Sequence, residues 1–319
     1  MGPFFAGADR LVFLHRVTMT TSAARPGSRL QFAPLDLLTL VYTASSFVIL
    51  AAQAAGAADL RLSSVQLTYL LTSHALLVVL VLLAAEARRR CCTKPCFLAE
   101  WYPLVVLMAV YGSVDLVNGP REAVGLSYDS VIQRWELATF GHQLAHDWSR
   151  EPTNRAAAWT LSLSYLGFFP VMIAAPAVLW GRRFYTESRR LIFGITLSFF
   201  TCYIAFLLFP VAGPPYLWGW PTQTGGLPAR MVQDLINRGD SWGSAFPSSH
   251  VAASMAAAFL SLKNWRPLGL MLLPFAIGIM VGVVYFQVHY AVDALAGLGI
   301  AVLATVVTSR LCHLRSPAA

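Results

Sequence analysis

"GDSWGSAFPSSHVAASMAAAFL" (Gly239–Leu260) sets a mouth of serines, a proline and a histidine against an alanine-rich run that stays uncharged from Ser241 to Leu262. Pro247 suits the first turn of a helix. A helix starting there leaves the N–H groups of Ser248, Ser249 and His250 without intrahelical acceptors. The composition of the whole chain decides what kind of helix this is. Of 319 residues, 57% are hydrophobic and only 12% charged, with a mean hydropathy of +0.60, whereas a soluble domain carries roughly 25% charged residues. The chain therefore belongs in a bilayer. Its charge-free windows, long enough to approach the ~30 Å of hydrocarbon, fall at Leu37–Ala55, Val65–Ala85, Trp101–Val117, Trp159–Trp180, Leu191–Pro210, Phe246–Leu262, Leu268–Tyr285 and Val292–Thr308. The expected fold is all-α and integral to the membrane, with about eight transmembrane helices.

The basic residues orient these spans, because Lys and Arg accumulate in short cytoplasmic loops. The N-terminal tail, "EARRRCCTK" (Glu86–Lys94), "WGRRFYTESRR" (Trp180–Arg190), "LKNWRP" (Leu262–Pro267) and "SRLCHLR" (Ser309–Arg315) fall on one side if the chain crosses eight times. The connections 118–158, 211–245 and 285–290 then face the other side, and the Gly239–Leu260 mouth opens outward. The net charge of +8 follows from this anchoring to anionic lipid and calls for no nucleic acid. Arg10, Arg16, Arg25 and Arg29 are scattered along a tail without an apolar core, which is not the pattern of a cleavable signal. The five cysteines, Cys91, Cys92, Cys96, Cys202 and Cys312, lack zinc-like spacing and read as free thiols.

A second stretch, "VVYFQVHYAVDALAGLGIAV" (Val283–Val302), places His289 and Asp293 four residues apart, so that on a helix they share a face and the carboxylate can hydrogen-bond the imidazole. Ionisable groups entering a span are costly unless they are partnered or functional. A helix start with free N–H donors, the hydroxyls of Ser248 and Ser249, and His250 makes an anion site. His289 and Asp293 enter from the same surface one hairpin later. A histidine held by a carboxylate serves as nucleophile or base, and a second histidine can protonate a leaving oxygen.

"AFPSSHVA" and "HYAVD" resemble the second and third signatures of the type 2 phosphatidic acid phosphatase superfamily, usually written P-S-G-H and S-R-x5-H-x3-D. "FPVAGPPY" (Phe209–Tyr216) and "DSVIQRWELATFG" (Asp129–Gly141) are similar to segments of its inositol phosphorylceramide synthase-like branch. The resemblance covers roughly Trp101–Thr308. It implies a six-helix catalytic core at 101–310, preceded by a basic tail at 1–34 and two additional helices at 35–100, and followed by a tail at 311–319. It also implies His289 as nucleophile, Asp293 as its partner, His250 as acid and base, no metal and no cofactor. The K-x6-R-P element is missing before the histidine motif, and Val283 stands where phosphatases of the superfamily carry arginine. That departure points toward the transferase-like branch.

The phosphate then needs another countercharge, for which Arg238 is the nearest outward candidate, after Ser248 and Ser249. Glu136, Gln287 and Tyr216 are candidates for contact with a polar headgroup. His142 and His146, four apart, read as part of an interfacial helix rather than a metal pair, and His74 as a hydrogen-bonded core histidine. The aromatic Pro214–Trp220 segment reads as an interfacial belt and as a wall for the headgroup. The expected activity is transfer of a phosphoryl headgroup, such as phosphoinositol, from a membrane phospholipid donor to a lipid hydroxyl, or to water, through a phosphohistidine. A lipid phosphate phosphatase and a catalytically silent lipid-binding or transport protein are the alternatives. The alanine-rich, arginine-biased composition suggests a bacterium, and the expected location is its inner membrane with the site facing the periplasm or exterior.

Overall fold

The computed structural model describes residues 30–56, 63–91, 95–148, 154–219 and 226–313, which are helical apart from short connections and the edges of these segments. The arginines of the N-terminal tail, Cys92 and Trp220 lie outside the described residues. Helices occupy all eight apolar windows: α1 (Pro34–Gly56), α2 (Ser64–Arg90), α3 (Phe97–Ala123), the pair α6 (Arg155–Leu166) and α7 (Phe168–Gly181), α8 (Tyr185–Leu208), α11 (Ser249–Asn264), α12 (Arg266–Tyr285) and α13 (Ala291–His313). Four shorter helices lie between them: α4 (Asp129–Phe140), α5 (Leu144–Trp148), α9 (Pro214–Trp218) and α10 (Leu227–Gly239).

Among the described residues six helices are singly long and apolar enough to cross a membrane, and a seventh span results if the α6–α7 pair, bent by 56° at Gly167, counts as one. The chain is thus an all-α, multi-pass membrane protein. α11 is the exception among the eight windows. At 16 residues it extends about 24 Å, and most of its side chains are buried in protein rather than facing lipid. Its fully buried Ala252, Ala253, Ala256, Ala257 and Ala258 let α8, α12 and α13 approach closely, which is how small residues hold helices together in a membrane. At Gly297 of α13 an added Cβ would lie 2.5 Å from the Ser248 carbonyl. Any side chain at Gly297 would push α13 off the start of α11.

Polar pairs pin both ends of the bundle. At one end the buried Asp36 carboxylate of α1 accepts hydrogen bonds from Arg88 of α2 and from the Tyr102 hydroxyl of α3, and Arg189 of α8 pairs with Glu100 of α3. Arg182 lies over the Trp265 ring at 4.8 Å, so the basic segments gather at this end. At the other end Gln53 and Arg121 both donate to the Leu207 carbonyl, at 2.7 and 2.9 Å. Asn118 reaches the carbonyls of Phe206 and Trp242, tying α3 and α8 to the loop that leads into α11. The serine- and histidine-bearing mouth sits at this second end.

Candidate active site

His289 lies in the link between α12 and α13, and the link turns sharply because Gln287 adopts φ 59°. The ring is buried, with only 3% exposure. Its Nδ1 is 2.7 Å from the Ala245 carbonyl oxygen. A carbonyl can only accept, so Nδ1 carries the proton and the lone pair is on Nε2. That Nε2 is buried and has no hydrogen-bond partner among the described residues. His250, the second residue of α11, has a buried Nδ1 that is likewise unpartnered, and its ring centroid is 5.8 Å from that of His289. Tyr165 stacks on His250 at 5.4 Å and Phe168 packs against it at 4.6 Å, fixing the ring from the α6–α7 side.

Asp293 is fully buried and takes a different role from the one its spacing suggests. Its Oδ2 is 3.7 Å from His289 Nδ1, too far for a hydrogen bond, and instead accepts the Tyr290 N–H at 2.8 Å. The helix begins at Ala291, so His289 lies outside it and the expected shared helical face does not form. The Ala245 carbonyl orients the imidazole, and the carboxylate stands behind it as a nearby negative charge.

The start of α11 also differs from expectation by two residues. Ser248 is the N-cap and Pro247 precedes it, outside the helix. The Ser248 N–H is spent on the Asp293 carbonyl at 3.0 Å, and its hydroxyl accepts the Val251 N–H at 3.4 Å. Ser248 therefore ties α11 to α13 rather than offering its N–H to an anion. The N–H groups of Ser249 and His250, first in the helix, are the ones without an intrahelical acceptor.

What holds the Ala245 carbonyl in place was not visible in the motifs. Val211, in the proline-rich segment, pairs with Ser244 in an isolated parallel bridge, and its carbonyl accepts the Ala245 N–H at 3.0 Å. The next two N–H groups, of Ala212 and Gly213, donate to Asp129 of α4 at 2.8 and 2.9 Å, and the Tyr290 hydroxyl donates to the same carboxylate at 3.0 Å. One helical face further on, Glu136 accepts the N–H groups of Ala291 and Val292 at 3.2 and 3.0 Å, satisfying the open N-terminus of α13 with a buried anion. Two carboxylates of α4 thus position both loops of the site. Glu136, expected at a headgroup, is fully buried and committed to backbone. Asp129 and Glu136 are seven apart, on one face of an amphipathic segment, and that spacing was the signal available for finding them.

Gln287 is also corrected. Its buried amide donates to the Gly219 carbonyl at 2.7 Å, holding the end of α9 rather than a headgroup. Arg238 is exposed on α10 and does not line the cavity described next. Tyr216 is 44% exposed and stands beside the Asp240 carboxylate. His142 and His146 both contact Asp147, at 2.8 and 2.9 Å. Among the described residues no group of three His, Cys, Asp or Glu side chains is disposed to hold a metal ion. His74 bonds Ser46 and the Leu70 carbonyl, as expected of a core histidine.

His250 and His289 open onto a cavity of about 360 Å³. Its walls are apolar, from Leu104 and Met108 of α3, Met172 and Ile173 of α7, and Phe199 of α8; Ser244, Ser249, Asp240 and the histidines form the polar end. A cavity of this size and lining suits a lipid chain with its polar junction at the histidines.

Comparison with curated proteins and with solved structures yields no significant match. Residues 131–307 match the sequence profile of the PAP2 superfamily, a segment running from α4 through the Ser248–His250 mouth to α13. More than half of the chain lies in that match, and the chain belongs to the PAP2 superfamily, whose phosphatase and phosphotransferase chemistry it shares.

Proposed function

We propose that the protein is a membrane phosphotransferase of this superfamily that moves a phosphoryl headgroup, such as phosphoinositol, from a phospholipid to a lipid hydroxyl. The observation that supports it best is the unpartnered Nε2 of a His289 whose Nδ1 is held by the Ala245 carbonyl, aimed with His250 into an apolar cavity. The Nε2 lone pair attacks phosphorus, and the P–O bond to the diacylglycerol oxygen breaks as His250 gives that oxygen its proton. The positive charge left on the imidazole faces Asp293 at 3.7 Å. In the second half His250 takes the proton of the acceptor hydroxyl, whose oxygen attacks the phosphohistidine and restores His289. The N–H groups of Ser249 and His250 and the Ser249 hydroxyl stabilise the equatorial oxygens, the electrostatic contribution that dominates phosphoryl transfer.

The character of the cavity favours transfer over hydrolysis: among the described residues no Lys or Arg lines it, so a dianionic monoester finds little countercharge there while a monoanionic diester needs less. Purified protein supplied with phosphatidylinositol and ceramide or diacylglycerol should yield the headgroup-bearing product by mass spectrometry, faster than phosphate is released from phosphatidate. Rapid phosphate release with no transferred headgroup would make the protein a phosphatase instead. We read the site as facing the outer leaflet of a bacterial inner membrane, an orientation supported by the basic segments at the opposite end of the bundle. In a background without native cysteines, the exposed Asn237→Cys should react with an impermeant reagent in intact cells and the exposed Arg183→Cys should not.

A further inference from the structure

The charged residue that reaches the cavity from the loop before α11 is Asp240, not Arg238. Asp240 lines the cavity together with Ser244, His250 and His289. Tyr216 of α9 stands beside its carboxylate. Tyr111 stands alongside, its hydroxyl accepting the Ser241 N–H and bonding Ser244, both at 3.2 Å. An acid at a phosphate site opposes anion binding, so its presence asks for a ligand of another kind. A carboxylate and tyrosine hydroxyls together accept and donate to alcohols. The same cavity holds the His289 Nε2, buried and unpartnered, which marks where the phosphorus would sit, so a hydroxyl at Asp240 would belong to the molecule being reacted. Burial among apolar walls pushes the Asp240 carboxyl up to about 7, the direction that desolvation gives a carboxylate.

We infer that Asp240, with Tyr216, is a specificity-determining subsite that binds an alcohol hydroxyl next to the reacting phosphoryl group and disfavours phosphomonoester dianions. The inference rests on the transferase reading above. The hydroxyl comes either from the donor's polyol headgroup or from the acceptor, and the carboxylate distinguishes both from a bare phosphate.

The test compares wild type, Asp240→Asn and Tyr216→Phe in detergent at pH 8. Three readouts are taken: the KM for phosphatidate, the ratio of phosphatidylinositol to phosphatidylmethanol cleavage in water, and the partition between transfer to diacylglycerol and hydrolysis with phosphatidylmethanol as donor. Asp240→Asn should lower the KM for phosphatidate at least fivefold. It should also cut one of the two ratios about tenfold, the first if the headgroup supplies the hydroxyl and the second if the acceptor does. Tyr216→Phe, which keeps the carboxylate, should move the same ratio and leave the phosphatidate KM unchanged. All three readouts within twofold of wild type in both variants would overturn the subsite. Should Asp240→Asn fail to fold, Tyr216→Phe alone decides through the ratios. Wild type that transfers to no lipid alcohol would instead sink the parent reading, while the phosphatidate KM still reports on Asp240.

Discussion

Two histidine–aspartate clusters in this protein look alike in sequence and differ in everything that makes a site. His142 and His146 are four apart and share Asp147 through hydrogen bonds of 2.8 and 2.9 Å, with side chains between 37% and 51% exposed. The bonds from His146 and His142 hold the Asp147 carboxyl below its ordinary range, yet charges so open to water are screened and contribute little. His289 and Asp293, also four apart, are buried and not hydrogen-bonded to one another. The imidazole is fixed through a backbone carbonyl, the carboxylate through a backbone N–H, and one ring nitrogen is left unsatisfied. A buried polar atom without a partner is costly, and the structure retains one where substrate phosphorus would be. Good pairing in the exposed cluster thus signals a finished surface interaction, while incomplete pairing in the buried one signals chemistry.

His289→Ala should show the largest effect, lowering turnover about 10⁴-fold or more as a nucleophile loss does, with the folded protein retained by size-exclusion chromatography. Asp293→Asn keeps an acceptor for the Tyr290 N–H and leaves Nδ1 held by Ala245, so only the charge opposite the imidazolium is lost. A fall on the order of 10²-fold is expected for a charge at that range in a partly screened interior, smaller than for His289→Ala. Equal losses would return Asp293 to the role of orienting partner. Asp129→Ala strips the acceptor from two backbone N–H groups and the Tyr290 hydroxyl, at about 1–3 kcal/mol for each buried group left unsatisfied. Thermal unfolding in detergent should fall clearly, and the surviving activity should fall about tenfold because the Ala245 carbonyl loses its support.

How much of this was legible can be judged at particular residues. The eight apolar windows became helices because hydropathy is a property of composition, and His250, His289 and Asp293 converged because their motifs sit at the starts of α11 and α13, which the intervening α12 brings to the same end of the bundle. The orienting group of His289 left no trace, since any residue at position 245 supplies the same carbonyl. Asp293 was misassigned because i,i+4 spacing speaks only if both residues are helical, and the helix starts between them. Glu136 was noticed for its charge and misread as reaching outward, because a carboxylate that caps a distant helix start looks the same in sequence as one that meets a headgroup. Arg238 drew attention as a cation near a phosphate site; the turn that ends α10 exposes it and carries Asp240 inward instead.

Smaller effects sharpen the contrast. With a folded-state value of about 7 against about 3.9 for a free aspartate, Asp240 binds more protons in the folded chain than in the unfolded one. Its contribution to stability therefore falls as pH rises from about 4 to about 7 and stays low above that. Asp240→Asn should raise the melting temperature at pH 8 more than at pH 5; an equal shift at both would show that the carboxylate does not titrate there. Smallest of all, His142→Ala and His146→Ala should leave activity within twofold and stability within about 0.5 kcal/mol, as surface substitutions do. A loss comparable to that of Asp293→Asn would erase the distinction between the two clusters.

The most direct measurement is chemical trapping of the intermediate. Protein incubated with donor phospholipid labelled at phosphorus, quenched at alkaline pH and digested, should carry acid-labile label on a single peptide, at Nε2 of His289. The label should be chased by added lipid alcohol and be absent from His289→Ala. Label on another residue, or turnover by wild type that never passes through a labelled histidine, would contradict the account.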